Sequence, residues 1–288
     1  GVRLGAAGAA GALGAAGLIA DWIRRREDAQ LPEYSSLIEA PSSELTVVAV
    51  SLKKIYVAID EATGPTTTAA GHPKPTVVLS HGYCLTSECW VLQRRALRRA
   101  GYRVVSWDQR GHGRSGQGAK AGYHIDQLGR DLYAVLGAAA PTGDLALIGH
   151  SMGGMTIMAL AESHPDVIRD RTIAFGAIAT SPGSLPLANG GFVAATGKQV
   201  LERLGPSVFT GLSKRPELLG SLLKANRDLE QFDVESYYFA SPVPRSVVRL
   251  TARMLMGTDL AVMSDFVPTF DAYNKVPALA HFAHIETL

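Results

Sequence analysis

A serine lies in a glycine-rich segment, GHSMG at residues 149–153. A short apolar run precedes the segment, and a helical pattern, Met152–Ser163, follows it. G-x-S-x-G between a buried strand and a helix is typical of a nucleophile elbow, a tight turn that exposes a serine hydroxyl. Such a turn has no room for side chains at Gly149 or Gly153. The pattern therefore predicts Ser151 as a catalytic nucleophile, and the alternative is a serine that only caps the helix.

A second segment, HGY at residues 81–83, follows the apolar run Thr76–Ser80. A serine that attacks a carbonyl creates negative charge on its oxygen, which aimed backbone N–H groups can stabilise. We expect one such donor at Met152, at the positive end of the helix dipole. The other expected donor is Tyr83. The alternative for this segment is an ordinary turn at the end of a strand.

A third segment, DQRGHGRS at residues 108–115, follows a further apolar run. Its charges and glycines are typical of a rigid turn held by hydrogen bonds. We therefore predict structural roles for Asp108, Arg110 and His112 in preference to catalytic ones.

Alternating strand and helix patterns must position these segments. The order predicts a mostly parallel sheet with helices on both faces, an α/β class of fold. The predicted strands are Leu45–Val50, Ile55–Ile59, Thr76–Ser80, Tyr102–Trp107, Leu145–Ile148 and Thr172–Ala179, and the predicted helices are Ser87–Ala100, Ile125–Ala139 and Met152–Ser163.

Residues 183–270 have helical stretches, such as Gly197–Leu204 and Pro216–Leu229, and no clear strand pattern. They predict a helical cap inserted into a core of residues 45–182. Residues 271–288 then return to the core, with a helical pattern at Val276–Ile285. Within the cap, Met254, Met256 and Met263 are predicted to line an apolar substrate pocket, because methionine adapts to flexible apolar ligands. Ordinary helix packing is the alternative for each of them.

The N-terminal region is rich in alanine and glycine, and Leu4–Ala20 carries no charge. Trp22 and the arginines at 24–26 follow it, a combination that suits a membrane interface. Residues 1–26 are therefore predicted as a membrane anchor or a flexible leader, and residues 27–44 as a linker. The corresponding localisation is membrane-associated or cytoplasmic.

Composition narrows the class of function. The chain has 288 residues, of which 28 are Lys or Arg and 26 are Asp or Glu, so its net charge of +2 argues against a nucleic-acid partner. The two cysteines, Cys84 and Cys89, form neither a disulfide framework nor a metal-binding spacing. We therefore expect no metal and no cofactor.

The three segments together, in this order and at these spacings, resemble the α/β-hydrolase superfamily over about residues 45–288. The text GHSMGGMTIMALAESHP resembles actinobacterial esterase and lipase-like serine hydrolases. This resemblance implies an α/β-hydrolase fold with a cap after the sixth strand. It also implies Ser151 as nucleophile and the Tyr83 and Met152 amides as the oxyanion hole.

The resemblance also implies a carboxylate after the seventh strand and a histidine after the eighth. No residue of this chain matches either position, because "FAHIETL" at its end resembles only the approach to the seventh strand. We therefore expect a chain cut before its C-terminal strands, with neither catalytic acid nor catalytic histidine and without activity of its own. Pairing of His281 with Asp265 or Asp271 is an alternative that the spacing does not favour.

The expected function is hydrolysis of small apolar carboxylic esters or lipids through an acyl-enzyme on Ser151. An acyltransferase or a cofactor-free, haloperoxidase-like perhydrolase would use the same site with a different acceptor. A non-catalytic binding protein on the same fold is the alternative from another class. The sequence leaves the acyl chain length and the oligomeric state open.

Overall fold

A computed structural model describes residues 38–49, 53–116, 122–183, 234 and 238–288. The predicted anchor at residues 4–20 and the predicted helices at Gly197–Leu204 and Pro216–Leu229 lie outside these ranges. Among the helices that the structure describes, none has both the length and the apolar composition needed to cross a bilayer. The anchor and the domain boundaries therefore stay predictions.

The described chain forms one sheet whose strands are β1 (Ser43–Val48), β2 (Lys54–Asp60), β3 (Thr76–Ser80), β4 (Val104–Trp107), β5 (Leu145–His150), β6 (Thr172–Ile178) and β7 (Glu286–Thr287). Their spatial order is β1-β2-β4-β3-β5-β6-β7. β2 is antiparallel to both of its neighbours, and every pair from β4 to β7 is parallel. The predicted mostly parallel sheet is confirmed.

Helices cover the sheet, and they are α1 (Val91–Arg99), α2 (Ile125–Ala139), α3 (Met152–Ser163), α4 (Pro165–Arg171), α5 (Arg245–Gly257) and α6 (Leu260–Ala272). Short 3₁₀ helices occupy Ser87–Trp90 and Pro277–Phe282. α2 begins where the His124 side chain accepts a hydrogen bond from the N–H of Gln127. Its buried positions recur at helical spacing, so one face of the helix packs against the core.

α3 is central to the architecture because it is buried along almost its whole length. It crosses α2 closely, and a β-carbon on Gly129 would lie only 2.8 Å from the carbonyl carbon of Ala159. A side chain larger than hydrogen at that position would force the two helices apart. The helix that follows Ser151 is thus fixed against both the sheet and α2.

Several predicted boundaries were wrong for local reasons. Gly101 forms a turn with a φ of 86°, and β4 begins after it at Val104, two residues later than predicted. Pro165 begins α4, which the sequence analysis missed, because proline at the first helical position is as compatible with a start as with a stop. The predicted helix at Val276–Ile285 is a shorter 3₁₀ helix.

Candidate active site

Ser151 lies at the junction between β5 and α3, in the elbow of residues 149–153. Its backbone has φ 49° and ψ −117°, a strained conformation for a residue with a side chain. The Ser151 N–H donates to the carbonyl of Ile178 at 2.9 Å, and the Thr180 hydroxyl donates to the Ser151 carbonyl at 2.8 Å. These bonds to β6 and its following loop hold the serine in the strained geometry.

The two glycines of the elbow are required by close backbone contacts. A β-carbon on Gly149 would lie 2.4 Å from the nitrogen of Gly154, within the first turn of α3. A β-carbon on Gly153 would lie 2.1 Å from the carbonyl oxygen of Ser80, at the end of β3. Neither neighbour is a flexible side chain that could turn aside. The sequence pattern thus corresponds to a turn packed directly on the adjacent strand.

The segment His81–Cys84, here called the β3 loop, runs beside Ser151. A β-carbon on Gly82 would lie 3.4 Å from Cβ of Ser151 and 2.7 Å from Nδ1 of His150. The imidazole of His150 therefore packs toward the β3 loop. The structure brings together the two segments that contain the expected nucleophile and its two expected amide donors.

Both expected amide donors are available in the described part of the chain. Met152 is the first residue of α3, and its N–H has no partner within the helix. Among hydrogen bonds between described residues, none engages the N–H of Tyr83. The assignment of these two groups to an oxyanion hole stays a prediction that this geometry permits.

A buried hydrogen-bond network anchors the start of the β3 loop. The Gln109 N–H donates to Nε2 of His81 at 2.9 Å, and the Gln109 side-chain amide donates to the His81 carbonyl at 2.6 Å. Thr156 on α3 donates its hydroxyl to the Gln109 side chain at 2.7 Å. Burial lowers the pKa of His81 to about 4, so its ring is neutral at ordinary pH and acts as a fixed connector.

The DQRGHGRS turn is held by hydrogen bonds, as expected from its sequence, both within the turn and to neighbouring elements. Asp108 accepts hydrogen bonds from the N–H groups of Ser87 and Arg114 at 2.7 and 2.8 Å. The Arg110 guanidinium and the Asp131 carboxylate form a buried bidentate pair, with N–O distances of 2.6 and 2.7 Å. Burial lowers the pKa of His112 to about 3, and its Nδ1 lies 3.0 Å from the Arg110 carbonyl.

In the described part of the chain, positive φ angles at residues other than glycine occur at three neighbouring strand ends. The residues are Cys84 at 60°, Ser151 at 49° and Ala179 at 46°, which follow β3, β5 and β6. Each such conformation costs about 1–3 kcal/mol and persists only where its surroundings enforce it, commonly at functional sites. The strain is concentrated at the carboxyl edge of the sheet where Ser151 lies.

The three methionines predicted to line a pocket occupy different environments. Met263 on α6 packs partly buried against the apolar cluster that contains Tyr83 and Met152. Met254 is buried in a separate cluster with Leu85 and other residues beside α1. Met256 is 45% exposed. The structure thus brings only Met263 of the three to the cluster at the β3 loop.

No imidazole or carboxylate forms a hydrogen bond with the Ser151 hydroxyl in the part of the chain that is described. His164 stacks on Tyr133 with ring centroids 3.7 Å apart, and His284 is exposed. His281 lies half-buried on the 3₁₀ helix before β7. The absence of a motif-matched catalytic acid and histidine stays a prediction.

The two cysteines are separate free thiols. Burial raises the pKa of Cys84 to about 12 and also raises the pKa of Cys89. Neither is therefore in the ionised form that a cysteine nucleophile requires. Among described residues, no group of His, Cys, Asp and Glu side chains has the geometry of a metal site.

The sheet order, the helical layers and the strained serine turn define the chain as a member of the α/β-hydrolase superfamily. A family model described as serine aminopeptidase, S33, matches residues 71–256, and the chain belongs to that family.

Curated relatives match a shorter region. A protein of Variovorax paradoxus (strain S110) named as a carbamate hydrolase, RutD, is 42% identical over 89 residues, or 31% of this chain and 33% of its own length. A non-heme haloperoxidase of Rhodococcus erythropolis is 36% identical over 88 residues, or 31% of each chain. Epoxide hydrolase B of Mycobacterium tuberculosis is 39% identical over 93 residues, or 32% of this chain and 26% of its own. The matched region thus spans about a third of the length of these relatives or less.

Solved structures match over most of the chain. An esterase from Exiguobacterium antarcticum aligns with a TM-score of 0.61 and 16% identity, covering 85% of this chain and 79% of the esterase. A bromoperoxidase from Bacillus anthracis aligns with a TM-score of 0.59 and 22% identity, covering 85% and 79% of the two chains. At these identities the similarity concerns the fold.

Proposed function

We propose that this protein is a serine hydrolase that cleaves carboxylic esters or lipids through an acyl-enzyme on Ser151. The observation that carries the proposal is the strained backbone of Ser151, held between β5 and α3 beside the β3 loop. A serine with only a capping role needs no positive φ, and its side chain here makes no capping hydrogen bond. The strained backbone is explained if the turn exposes the Ser151 hydroxyl to a substrate.

The proposed reaction has two stages. The Ser151 oxygen attacks the ester carbonyl carbon while a base takes the hydroxyl proton. The carbonyl electrons move to the oxygen, which accepts hydrogen bonds from the N–H groups of Tyr83 and Met152. Collapse expels the alcohol, which receives the proton, and leaves an acyl group on Ser151. Water then attacks that group in the same manner and releases the acid.

Among the described residues, no general base lies within hydrogen-bond reach of the Ser151 hydroxyl. A serine nucleophile needs an imidazole within hydrogen-bond reach, oriented by a third group. We expect both groups after the seventh and eighth strands, as the resemblance implies. For this reason the test of function uses the full-length protein of the source gene.

An apolar substrate suits the surroundings of the β3 loop. Phe266 on α6 is fully buried against this region, and Met263 packs partly buried beside it. Relatives and structural neighbours named for esters and carbamates support a carbonyl substrate. The aspartate that epoxide hydrolases use as nucleophile would have to stand where this chain has Ser151, which disfavours that reaction.

Perhydrolysis is a second candidate, favoured by the haloperoxidase and bromoperoxidase among the similar proteins. It would use the same acyl-enzyme, with hydrogen peroxide in place of water as the acceptor. The product would be a peracid, so the acceptor distinguishes the two activities. Neither needs a residue beyond those proposed for the hydrolase.

The test compares wild type with Ser151→Ala on p-nitrophenyl acetate, butyrate and decanoate, with leucine p-nitroanilide as the aminopeptidase substrate. Ser163→Ala is a matched control, because Ser163 ends the same helix and its hydroxyl bonds only to groups at that helix end, with the Ala159 carbonyl at 2.8 Å and Nδ1 of His164 at 2.9 Å. We expect ester hydrolysis by wild type and Ser163→Ala, and its loss in Ser151→Ala. Hydrolysis of the anilide alone would replace the ester proposal with a peptidase. Equal ester rates in wild type and Ser151→Ala would contradict both.

A further inference from the structure

The side chain of Tyr83 connects the β3 loop to the cap. Its hydroxyl donates to the main-chain carbonyl of Met263, on α6, at 2.6 Å, across 180 residues of sequence. The side chain is buried, and burial raises the pKa of the phenol above its ordinary value, so the hydroxyl keeps its proton. The residue whose main-chain N–H is proposed to bind the oxyanion is therefore attached to α6 through its own side chain.

Aromatic contacts fix the same ring in orientation. Phe270 and Phe266, both on α6, meet the Tyr83 ring edge-on with centroids 5.3 and 6.1 Å away. His112 from the DQRGHGRS turn meets it at 6.1 Å. Edge-to-face pairs of this kind favour one relative orientation of the rings. The side chain thus has little freedom to rotate.

Main-chain hydrogen bonds also hold the β3 loop. Gln109 anchors His81 at the start of the loop, and the Leu85 N–H donates to the Gly82 carbonyl at 3.1 Å across it. Tyr83 and Cys84 are the central residues of the turn that this second bond closes, and the φ of 60° at Cys84 is costly for a residue with a side chain. The attachment of the Tyr83 side chain to α6 is a second restraint on this strained turn.

We propose that Tyr83 is a positioning residue whose phenol, bonded to the Met263 carbonyl, sets the direction of its own N–H toward the oxyanion. α6 would then determine the alignment of the oxyanion hole as well as covering the substrate region. This inference rests on the proposed serine hydrolase function. Its consequence is that transition-state binding depends on the phenol while ground-state binding does not.

The experiment uses Tyr83→Phe in the full-length protein, with Tyr273→Phe as the matched control. Tyr273 belongs to the same apolar cluster, and its buried hydroxyl lies 3.6 Å from the sulfur of Met158 and bonds no main-chain carbonyl of α6 in the described structure. The readouts are kcat and KM on p-nitrophenyl butyrate and the inhibition constant of phenylboronic acid, which forms a tetrahedral adduct on serine. Butyrate, the product acid, serves as the ground-state ligand.

For Tyr83→Phe we expect kcat to fall roughly ten- to a hundredfold, since a small misalignment or the loss of one oxyanion donor has effects of this size. The boronate should bind about tenfold more weakly, while KM and the butyrate constant change less than about twofold. Tyr273→Phe should match wild type. Equal kcat and boronate affinity in Tyr83→Phe and wild type would overturn the inference, as would parallel losses in both phenylalanine variants.

Phe270→Leu provides a second variant in case Tyr83→Phe does not fold. It removes an edge-on contact to the Tyr83 ring and keeps the phenol, so we expect a smaller loss of boronate affinity, roughly threefold. An unchanged boronate constant in that variant would overturn the inference. Fluorophosphonate labelling of wild type distinguishes a failure of the proposed function from a failure of the inference about Tyr83. Failure to label Ser151 would overturn the proposed function together with this inference, whereas labelling with no effect of Tyr83→Phe overturns the inference alone.

Discussion

Gly153 lies where α3 passes closest to the end of β3, and replacing it with alanine perturbs the candidate site without removing any functional group. The new β-carbon would lie 2.1 Å from the Ser80 carbonyl oxygen and 2.8 Å from that of His81. Contacts under 3.0 Å are essentially never observed for real β-carbons, so the helix and the strand must separate by about 1 Å. That movement would widen the gap between the β3 loop and the first turn of α3.

The magnitude follows from two opposing effects. Overpacking costs about 1–3 kcal/mol, and the upper end applies because the obstructing atoms belong to the main chain. Alanine regains about 1 kcal/mol over glycine within a helix. We therefore expect Gly153→Ala to lower the free energy of unfolding by about 2 kcal/mol. A displacement of about 1 Å between catalytic groups should slow nucleophilic attack by the Ser151 hydroxyl roughly a hundredfold.

Gly137→Ala is the matched control. Gly137 is an exposed position within α2, and apart from the helix's own backbone and the neighbouring residues no atom lies within 4 Å of the β-carbon that alanine would add. We expect it to gain about 0.5–1 kcal/mol of stability and to leave the reactivity of the Ser151 hydroxyl unchanged. The assays are chemical denaturation and the rate of fluorophosphonate labelling. The reasoning is refuted if Gly153→Ala is as stable and as reactive as wild type, and its catalytic part is refuted if only stability falls.

Two further predictions concern the DQRGHGRS turn. Asp131→Ala removes the carboxylate that pairs with buried Arg110, so denaturation should show a loss of about 3–5 kcal/mol, whereas Arg169→Ala, in an exposed pair, should cause no measurable change. A loss under about 1 kcal/mol would show that the buried pair is not required. The melting temperature should fall as the pH is lowered from about 6.5 toward 4. In this range the His112 side chain binds a proton in the unfolded chain but not in the folded protein, where burial lowers its pKa to about 3, so protonation favours unfolding. His112→Phe should make that decline shallower and exposed His72→Phe should not, and equal slopes in the two variants would contradict the interpretation.

Short sequence patterns were sufficient to predict the strands and helices whose bounds depend on neighbouring residues in the sequence. The bounds of β3, α2 and α3 follow from short apolar runs, helical spacing and glycine turns, and the structure confirms them. The antiparallel pairing of β2 with β4 has no comparable signal, because the two strands are separated by more than forty residues of sequence and by β3. Pairing of this kind depends on the assembled sheet.

The candidate site also combines features that have a local sequence signal with features that depend on the folded chain. G-x-S-x-G located Ser151 because glycines are needed where backbones touch, as at Gly149 and Gly153. The strained conformations of Cys84 and Ala179 have no such signal, since neither residue is a glycine. The hydrogen bond from Tyr83 to Met263 joins the β3 loop to α6, and only the folded chain brings these segments together.

The most direct test of the account is to locate the covalent adduct of a fluorophosphonate on the full-length protein by mass spectrometry. The account predicts one adduct, on the peptide that contains Ser151, absent from Ser151→Ala and retained in Ser163→Ala. No adduct on native wild-type protein, or an adduct on another residue with Ser151 unmodified, would contradict the assignment of Ser151 as the nucleophile.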